Sequence, residues 1–150
     1  MGGMRVQART RVGACVAAVG TVVAGLGIRV VAEGDVAKYG GVGLYAVLVY
    51  VLVVLAAPRV LPVVAGVGAF AVSCAVELLQ LSGVTEGPAE RSVIVRLVLG
   101  STFNAPDLLW YAIGAAVAAS AHTWASGRRA ARERRPGAPR VAVGGRWRGP

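Results

Sequence analysis

The chain has 150 residues, of which 56% are hydrophobic and 15% are charged, and its mean hydropathy is +0.65. Because soluble domains carry about 25% charged residues, this composition excludes an ordinary soluble domain and indicates an integral membrane protein. The formal net charge is +9, but eight of the basic residues lie after Ser126. Most of the net positive charge therefore lies in the C-terminal tail and not in the apolar part of the chain.

Four long apolar windows predict four transmembrane helices, at residues 12–32, 41–57, 61–81 and 106–125. Each falls in the range of lengths that cross a hydrocarbon core about 30 Å thick. The windows are continuous rather than alternating in polarity, which favours an α-helical bundle over a β-barrel. The predicted fold class is therefore all-α, a polytopic membrane protein.

The first window has an alternative interpretation as a signal peptide. Arg5, Arg9 and Arg11 precede it, and Ala32 offers a small residue at which cleavage could occur. However, its apolar stretch is longer than the hydrophobic region of an ordinary signal peptide. A retained helix is therefore the prediction.

The sequence outside the windows predicts one short helix and one disordered tail. Residues 92–103 are apolar with Arg96 among them, a segment too short and too charged to span, so we expect an interfacial or re-entrant helix before the fourth span. Beyond Ser126 the chain is rich in Arg, Gly and Pro. We predict a four-helix membrane domain over 1–126 and a disordered cytoplasmic tail over 127–150.

The arginine-rich tail predicts contact with membrane lipids, because basic residues beside a membrane are attracted to anionic headgroups. Nucleic-acid binding is the alternative for such a tail, with Trp147 between Arg146 and Arg148 as a stacking group. No folded nucleic-acid module is recognisable in the sequence. No specific nucleic acid is therefore predicted as a partner.

The distribution of Lys and Arg predicts the orientation. With four spans, twelve basic residues fall on the side of the two termini and four on the opposite side. The positive-inside rule then places both termini in the cytoplasm. The end of the third helix and the start of the fourth consequently lie at the outer face.

Two carboxylates carry the strongest functional signal. Glu77 lies inside the third window and Asp107 opens the fourth. A charge at membrane depth costs about 3 kcal/mol even on insertion scales, so an ionisable residue there is a functional-site hypothesis. In antiparallel helices, Glu77 and Gln80 would lie at the depth of Asp107 and Tyr111, which predicts a polar cluster at the outer end.

The spacing of small residues predicts how the third and fourth helices pack. Ala65, Ala69 and Ser73 precede Glu77 at intervals of four, so all four share one helical stripe. On the fourth helix, Gly114 and Ala118 continue the stripe of Asp107 and Tyr111. Because small residues let helices approach closely in lipid, we expect these two stripes to meet.

Structural explanations stand beside the functional ones. Asn104 and Asp107 fit the N-cap and third position of a helix, Glu77 could form a buried ion pair with Arg91 or Arg96, and His122 is interpreted as structural. No catalytic residue, metal ligand or cofactor is predicted, because no nucleophile with a base and no metal-ligand spacing stands out. The predicted binding residues are Glu77, Gln80, Arg91, Arg96, Asp107 and Tyr111.

Several segments carry a family resemblance: Val76 to Leu81, Arg96 to Gly100, Asp107 to Gly114, and Lys38 to Tyr50. Together they resemble the bacterial membrane proteins of the domain of unknown function 2809 family, over roughly residues 12–122. Glu-x-x-Gln on the third helix, and Asp with Gly seven residues on in the fourth, are also similar to VanZ-like proteins, a group linked to glycopeptide resistance. Tyr111 stands where the VanZ-like pattern tends to have Asn, and Val42 where the first family usually has an acidic residue.

The resemblance implies a protein of the bacterial plasma membrane and cell envelope. The predicted function is contact with a lipid-linked or cell-wall component at the outer face. The alternative is a small transporter or channel subunit in which Glu77 and Asp107 bind a proton or cation. An enzyme acting on a lipid with these carboxylates as acid and base is a third interpretation, which the lack of a recognisable nucleophile disfavours.

Overall fold

The computed structural model describes residues 2–81 and 104–133, which form four α-helices. Their bounds are Gly2–Val31 for α1, Gly34–Ala56 for α2, Pro62–Leu81 for α3 and Ala105–Glu133 for α4. α4 continues past the predicted domain boundary at Ser126. The predicted short helix at 92–103 and the tail from residue 134 lie outside the described residues.

Three of these helices are long and apolar enough to cross a membrane. The apolar stretches are Gln7–Val31 in α1, Gly34–Ala56 in α2 and Pro62–Leu79 in α3. They match the first three predicted windows, and the all-α prediction is confirmed. α4 is one residue shorter than α1, but it is richer in alanine and polar residues and is not among these three.

α2 is the central helix, and it packs against α1, α3 and α4. Tyr39 near its start stacks on Trp110 of α4, and Tyr50 eleven residues on hydrogen-bonds to His122. α2 and α4 therefore run parallel, while α1 and α3 run the opposite way. We call the end where α2 and α4 begin the site end, and the end where α1 and α3 begin the basic end.

Short turns join the first three helices. Gly34, the first residue of α2, has a φ of +59°, a left-handed conformation that suits glycine where the chain turns from α1 into α2. At the basic end, the turn after Ala57 contains Pro58, and Pro62 begins α3, a position where proline loses no helical hydrogen bond. These turns make consecutive helices antiparallel neighbours.

The interior of the bundle combines buried valines and Tyr50 of α2 with small and polar residues of α3. Ala65, Ala69 and Ser73 have no exposed surface, and Glu77 is 1% exposed, so the predicted stripe of α3 faces the interior. Large apolar side chains such as Val16, Val63 and Val67 are instead exposed. This pattern is typical of helices that pack through small residues and face lipid with their large ones.

Glycines set the closest approaches between helices. A Cβ built on Gly114 would lie 2.3 Å from the carbonyl oxygen of Gly43, whereas one on Gly66 would lie 3.3 Å from the Cβ of Ala119. α3 and α4 therefore pack together as predicted, but through Gly66. The expectation that Gly114 faces α3 is wrong, because the backbone of α2 occupies that space.

Candidate functional site

Glu77 is the buried centre of a polar cluster at the site end. It lies one turn before the end of α3 and is 1% exposed. Its Oε1 accepts a hydrogen bond from the backbone N–H of Asn104 at 2.5 Å, and its Oε2 accepts one from the Tyr111 hydroxyl at 3.0 Å. Both carboxylate oxygens thus have donors from the start of α4.

Asn104 connects Glu77 to the second carboxylate. It precedes the first residue of α4, and its carbonyl accepts a hydrogen bond from the backbone N–H of Asp107 at 2.9 Å. Its side-chain amide donates to Asp107 Oδ1. The N-cap position of Asn104 and the first-turn position of Asp107 agree with the sequence prediction, and a carboxylate there is favoured by the helix dipole.

The structure brings together three of the six predicted binding residues, namely Glu77, Asp107 and Tyr111. Gln80 lies on α3 three residues after Glu77, but its side chain is outside the described part of the structure. Arg91 and Arg96 belong to residues 82–103, which are also outside it. The predicted ion pair between Glu77 and an arginine therefore stays a prediction.

Two side chains beside Glu77 complete the interior of the cluster. Ser73, one turn earlier on α3, is fully buried, and its hydroxyl has no hydrogen-bond partner among the described residues. The ring of Tyr45 on α2 lies 5.9 Å from that of Tyr111, tilted by 55°. Ser73 thus places a hydroxyl without a described hydrogen-bond partner inside α3, a helix long enough to cross a membrane.

The rim of the site end is aromatic and charged. Tyr39 and Trp110 stack with ring centroids 5.5 Å apart, and Lys38 Nζ lies 5.2 Å from the Tyr39 centroid. Glu33 and Asp35 are exposed at the start of α2. Aromatic residues with one apolar and one polar side are frequent where helices leave the hydrocarbon region.

The chemistry available at the site is mainly that of hydrogen-bond acceptors, with the Ser73 hydroxyl, which has no partner among the described residues, as a group that can also donate. Glu77 and Asp107 supply carboxylate oxygens, which bind hydroxyl groups, ammonium groups or cations. Within residues 2–81 and 104–133, no three His, Cys, Asp or Glu side chains are grouped so that they could hold a metal ion. The arrangement is therefore described best as a polar binding site.

Sequence reasoning identified the carboxylates but missed two parts of this cluster. The backbone N–H of Asn104 bonds Glu77, and Tyr45 packs against Tyr111. A backbone donor has no side-chain signature, so only the position of a helix start could have indicated it. Tyr45 lies within the segment that carried the family resemblance, without any spacing that linked it to Glu77.

The helices of membrane length and the buried carboxylate together define an α-helical membrane protein with a polar site near one end. Within that class, the family model described as Protein of unknown function (DUF2809) matches residues 31–115, more than half of the chain. The chain belongs to this family, as its sequence predicted. No curated protein and no solved structure matches the chain.

The matched segment contains the whole described site. It covers α2, α3 and the first eleven residues of α4, and therefore Glu77, Asn104, Asp107 and Tyr111. Most of α1 and the second half of α4 lie outside it. The similarity to VanZ-like proteins stays a prediction.

Proposed function

We propose that this protein spans the bacterial plasma membrane four times and binds a lipid-linked or cell-wall component at the outer face through Glu77 and Asp107. The single observation that carries this proposal is the burial of Glu77 at 1% exposure inside a helix of membrane length. A carboxylate at that depth is costly and usually functional. Its described partners are a backbone N–H and a tyrosine hydroxyl.

The packing of α4 supports a fourth span. Its contacts with α2 extend from Trp110 against Tyr39 to His122 against Tyr50. These pairs are eleven or twelve residues apart, or roughly 17 Å along a helix. Because α2 is apolar enough to cross a membrane, a helix that follows it over this distance would cross slightly more than half of the same layer.

The charge distribution supports the orientation of the site. The N-terminus, the turn at Arg59 and the C-terminal tail hold twelve of the sixteen basic residues. In the described structure, Arg9, Arg59 and Arg129 belong to the basic end, and Glu77 to the other. The positive-inside rule therefore assigns the basic end to the cytoplasm and the site end to the outside.

The proposed ligand follows from the surroundings of the carboxylates. Glu77 and Asp107 would accept hydrogen bonds from the hydroxyl or amino groups of a sugar-peptide headgroup. Leu78 and Leu79 are 60% and 48% exposed directly after Glu77. Their apolar surface would contact the hydrocarbon chain of a lipid carrier. A single lipid-linked ligand would then contact both the carboxylates and the exposed leucines.

Binding of a polyprenyl diphosphate that carries a sugar-peptide headgroup tests this function. In nanodiscs, Glu77→Gln should lower the affinity by roughly thirtyfold, because loss of one charged partner in a buried contact costs about 2 kcal/mol or more. Glu33→Gln is the matched control, since Glu33 is exposed at the same end. Equal affinity for the parent and the Glu77 variant, with both folded, would refute the proposal.

Proton or cation binding by the same carboxylates is the second candidate. It is favoured by the hydrogen-bonded connection from Glu77 through Asn104 to Asp107, which links two titratable groups at one depth. Protein in liposomes loaded with a pH-sensitive dye would test it. Proton flux that Glu77→Gln abolishes and Glu33→Gln preserves would favour this function over ligand binding alone.

A further inference from the structure

A second feature lies far from Glu77, between α1 and α4 near the basic end. α1 packs mainly on α2, and α4 packs on α2 and α3, so α1 and α4 flank a groove whose floor is α2. The groove contains a cavity of about 380 Å³. Its lining includes Gly13, Ala14 and Ala17 of α1, Val47, Val51 and Val54 of α2, and Ala118, Ala121 and Ala125 of α4.

The shape of this α1–α4 groove suits a single acyl chain. Its walls carry glycine and alanine, which leave the space between the helices unfilled. Along α1 the lining extends from Arg9 to Thr21, a distance of roughly 18 Å at 1.5 Å per residue. This is slightly more than half of a hydrocarbon core about 30 Å thick, so the groove extends through one leaflet.

Basic groups line the groove together with this apolar surface. Arg9 lies on α1 at the start of its apolar stretch, and Arg129 lies on α4 two turns after His122. Both line the cavity, and neither forms a salt bridge with another described side chain. Arginine binds phosphate oxygens through two parallel hydrogen bonds, so the pair is chemically complementary to a phosphate group.

The groove also contains a polar pair with a spare hydrogen. The Tyr50 hydroxyl and His122 Nδ1 are 2.8 Å apart, and both residues line the cavity. If Tyr50 donates, a neutral His122 keeps an N–H on Nε2, and if His122 donates, Tyr50 keeps its O–H. In either arrangement one donor is left for an oxygen of a bound molecule.

We propose that the α1–α4 groove binds one anionic phospholipid of the cytoplasmic leaflet. Its phosphate contacts Arg9 and Arg129, an ester oxygen accepts the spare hydrogen of the Tyr50 and His122 pair, and one acyl chain lies along α1 toward Thr21. Most of the lining is outside the segment that matches the family model. This binding is thus separate from the site at Glu77.

Native mass spectrometry of the full chain, released from detergent with added lipid, tests this assignment. Dioleoylphosphatidylglycerol should be retained at one molecule per chain and dioleoylphosphatidylcholine should not. Arg9→Gln and Arg129→Gln should each lower the affinity for the anionic lipid roughly fivefold, the effect of one basic residue near an anionic headgroup. Ala121→Phe should abolish retention, because a phenyl ring would occupy the groove.

Arg128→Gln is the matched control. Arg128 is adjacent to Arg129 in sequence but lies over the ring of Trp124, with its guanidinium carbon 3.7 Å from the centroid, and does not line the cavity. Its replacement should leave lipid retention unchanged. Glu77→Gln should also retain the lipid, which separates this result from the outcome for the outer site.

Three results would overturn the proposal. The first is equal retention of the two lipids, and the second is an equal loss of affinity in the Arg128 and Arg129 variants, which would indicate general attraction to the charged surface. The third is a dimer of the parent that Ala121→Phe converts to a monomer without a change in lipid binding. That result would show that a second copy of the chain occupies the groove.

Discussion

Glu77 combines almost complete burial with two hydrogen bonds from α4. Removing one donor from a buried acceptor costs more than a typical hydrogen bond contributes, because the remaining group loses its solvation without compensation. The Tyr111 hydroxyl is the donor that a substitution can remove, since the other donor is the backbone N–H of Asn104. The bond is 3.0 Å long and joins α3 to α4, so it should contribute to the stability of their contact.

Tyr111→Phe should lower the free energy of unfolding by about 2 kcal/mol, the contribution of a hydrogen bond to a charged group. Thermal or denaturant unfolding in detergent would measure it. Tyr39→Phe is the control, because Tyr39 contributes its ring to a stack with Trp110 and that stack would persist. A loss for Tyr39→Phe equal to that for Tyr111→Phe would mean that the bond to Glu77 adds no stability.

At the scale of the helices, the space around each glycine differs. A Cβ on Gly114 would collide with the backbone of α2, one on Gly66 would be tight against Ala119, and one on Gly68 would meet nothing within 4 Å. The packing of α4 therefore depends on Gly114 more than on any small residue of the predicted α3 stripe. Neighbouring backbone cannot move aside as a flexible side chain can.

Replacement of each glycine by alanine should change the free energy of unfolding by a different amount at each of the three positions. Gly114→Ala should destabilise the protein by about 1–3 kcal/mol through overpacking, and Gly66→Ala should cost less. Gly68→Ala should be neutral or stabilise by up to about 1 kcal/mol, because alanine has the higher helix propensity. Unfolding in detergent gives the order, and a Gly114 variant as stable as the Gly68 variant would contradict the close contact of α2 and α4.

At the scale of the whole molecule, the two ends of the bundle differ in charge and chemistry. The site end holds Glu77 and Asp107, and the basic end holds Arg9, Arg59 and Arg129. At the basic end, the Gln7 side-chain oxygen, in the orientation its surroundings favour, accepts from Arg59 Nε at 3.2 Å. This contact joins α1 to the turn between α2 and α3. Arg9 of α1 and Arg129 of α4 line one cavity, so the basic residues of three segments share one side.

Reporter fusions should show on which side of the membrane each end of the bundle lies. A reporter enzyme that is active only outside the plasma membrane should be silent when fused after Pro150 and active when inserted after Gly87. The positive-inside rule gives this result, because twelve of the basic residues lie on the side of the termini. Activity at the C-terminus would reverse the orientation and assign Glu77 to the cytoplasmic side.

The sequence by itself determined the membrane class, three apolar helices, the antiparallel order of α3 and α4, and the buried stripe that ends at Glu77. Composition, hydrophobic length and helical periodicity are local properties, so they are readable along the chain. The antiparallel order of α3 and α4 identified Asp107 and Tyr111, near the start of one helix, as residues at the depth of Glu77 near the end of the other. The positions of Asn104 and Asp107 at the start of α4 were also readable, because capping chemistry is local.

Only the tertiary structure decided which helix each small residue faces. Gly114 contacts α2 rather than α3, since four helices with similar small residues offer several packing partners and spacing on one helix does not choose among them. The bond from the Asn104 N–H to Glu77 and the groove between α1 and α4 were likewise beyond sequence reasoning. Both depend on distances between segments far apart in the chain, and a backbone donor or an unfilled space has no residue signature of its own.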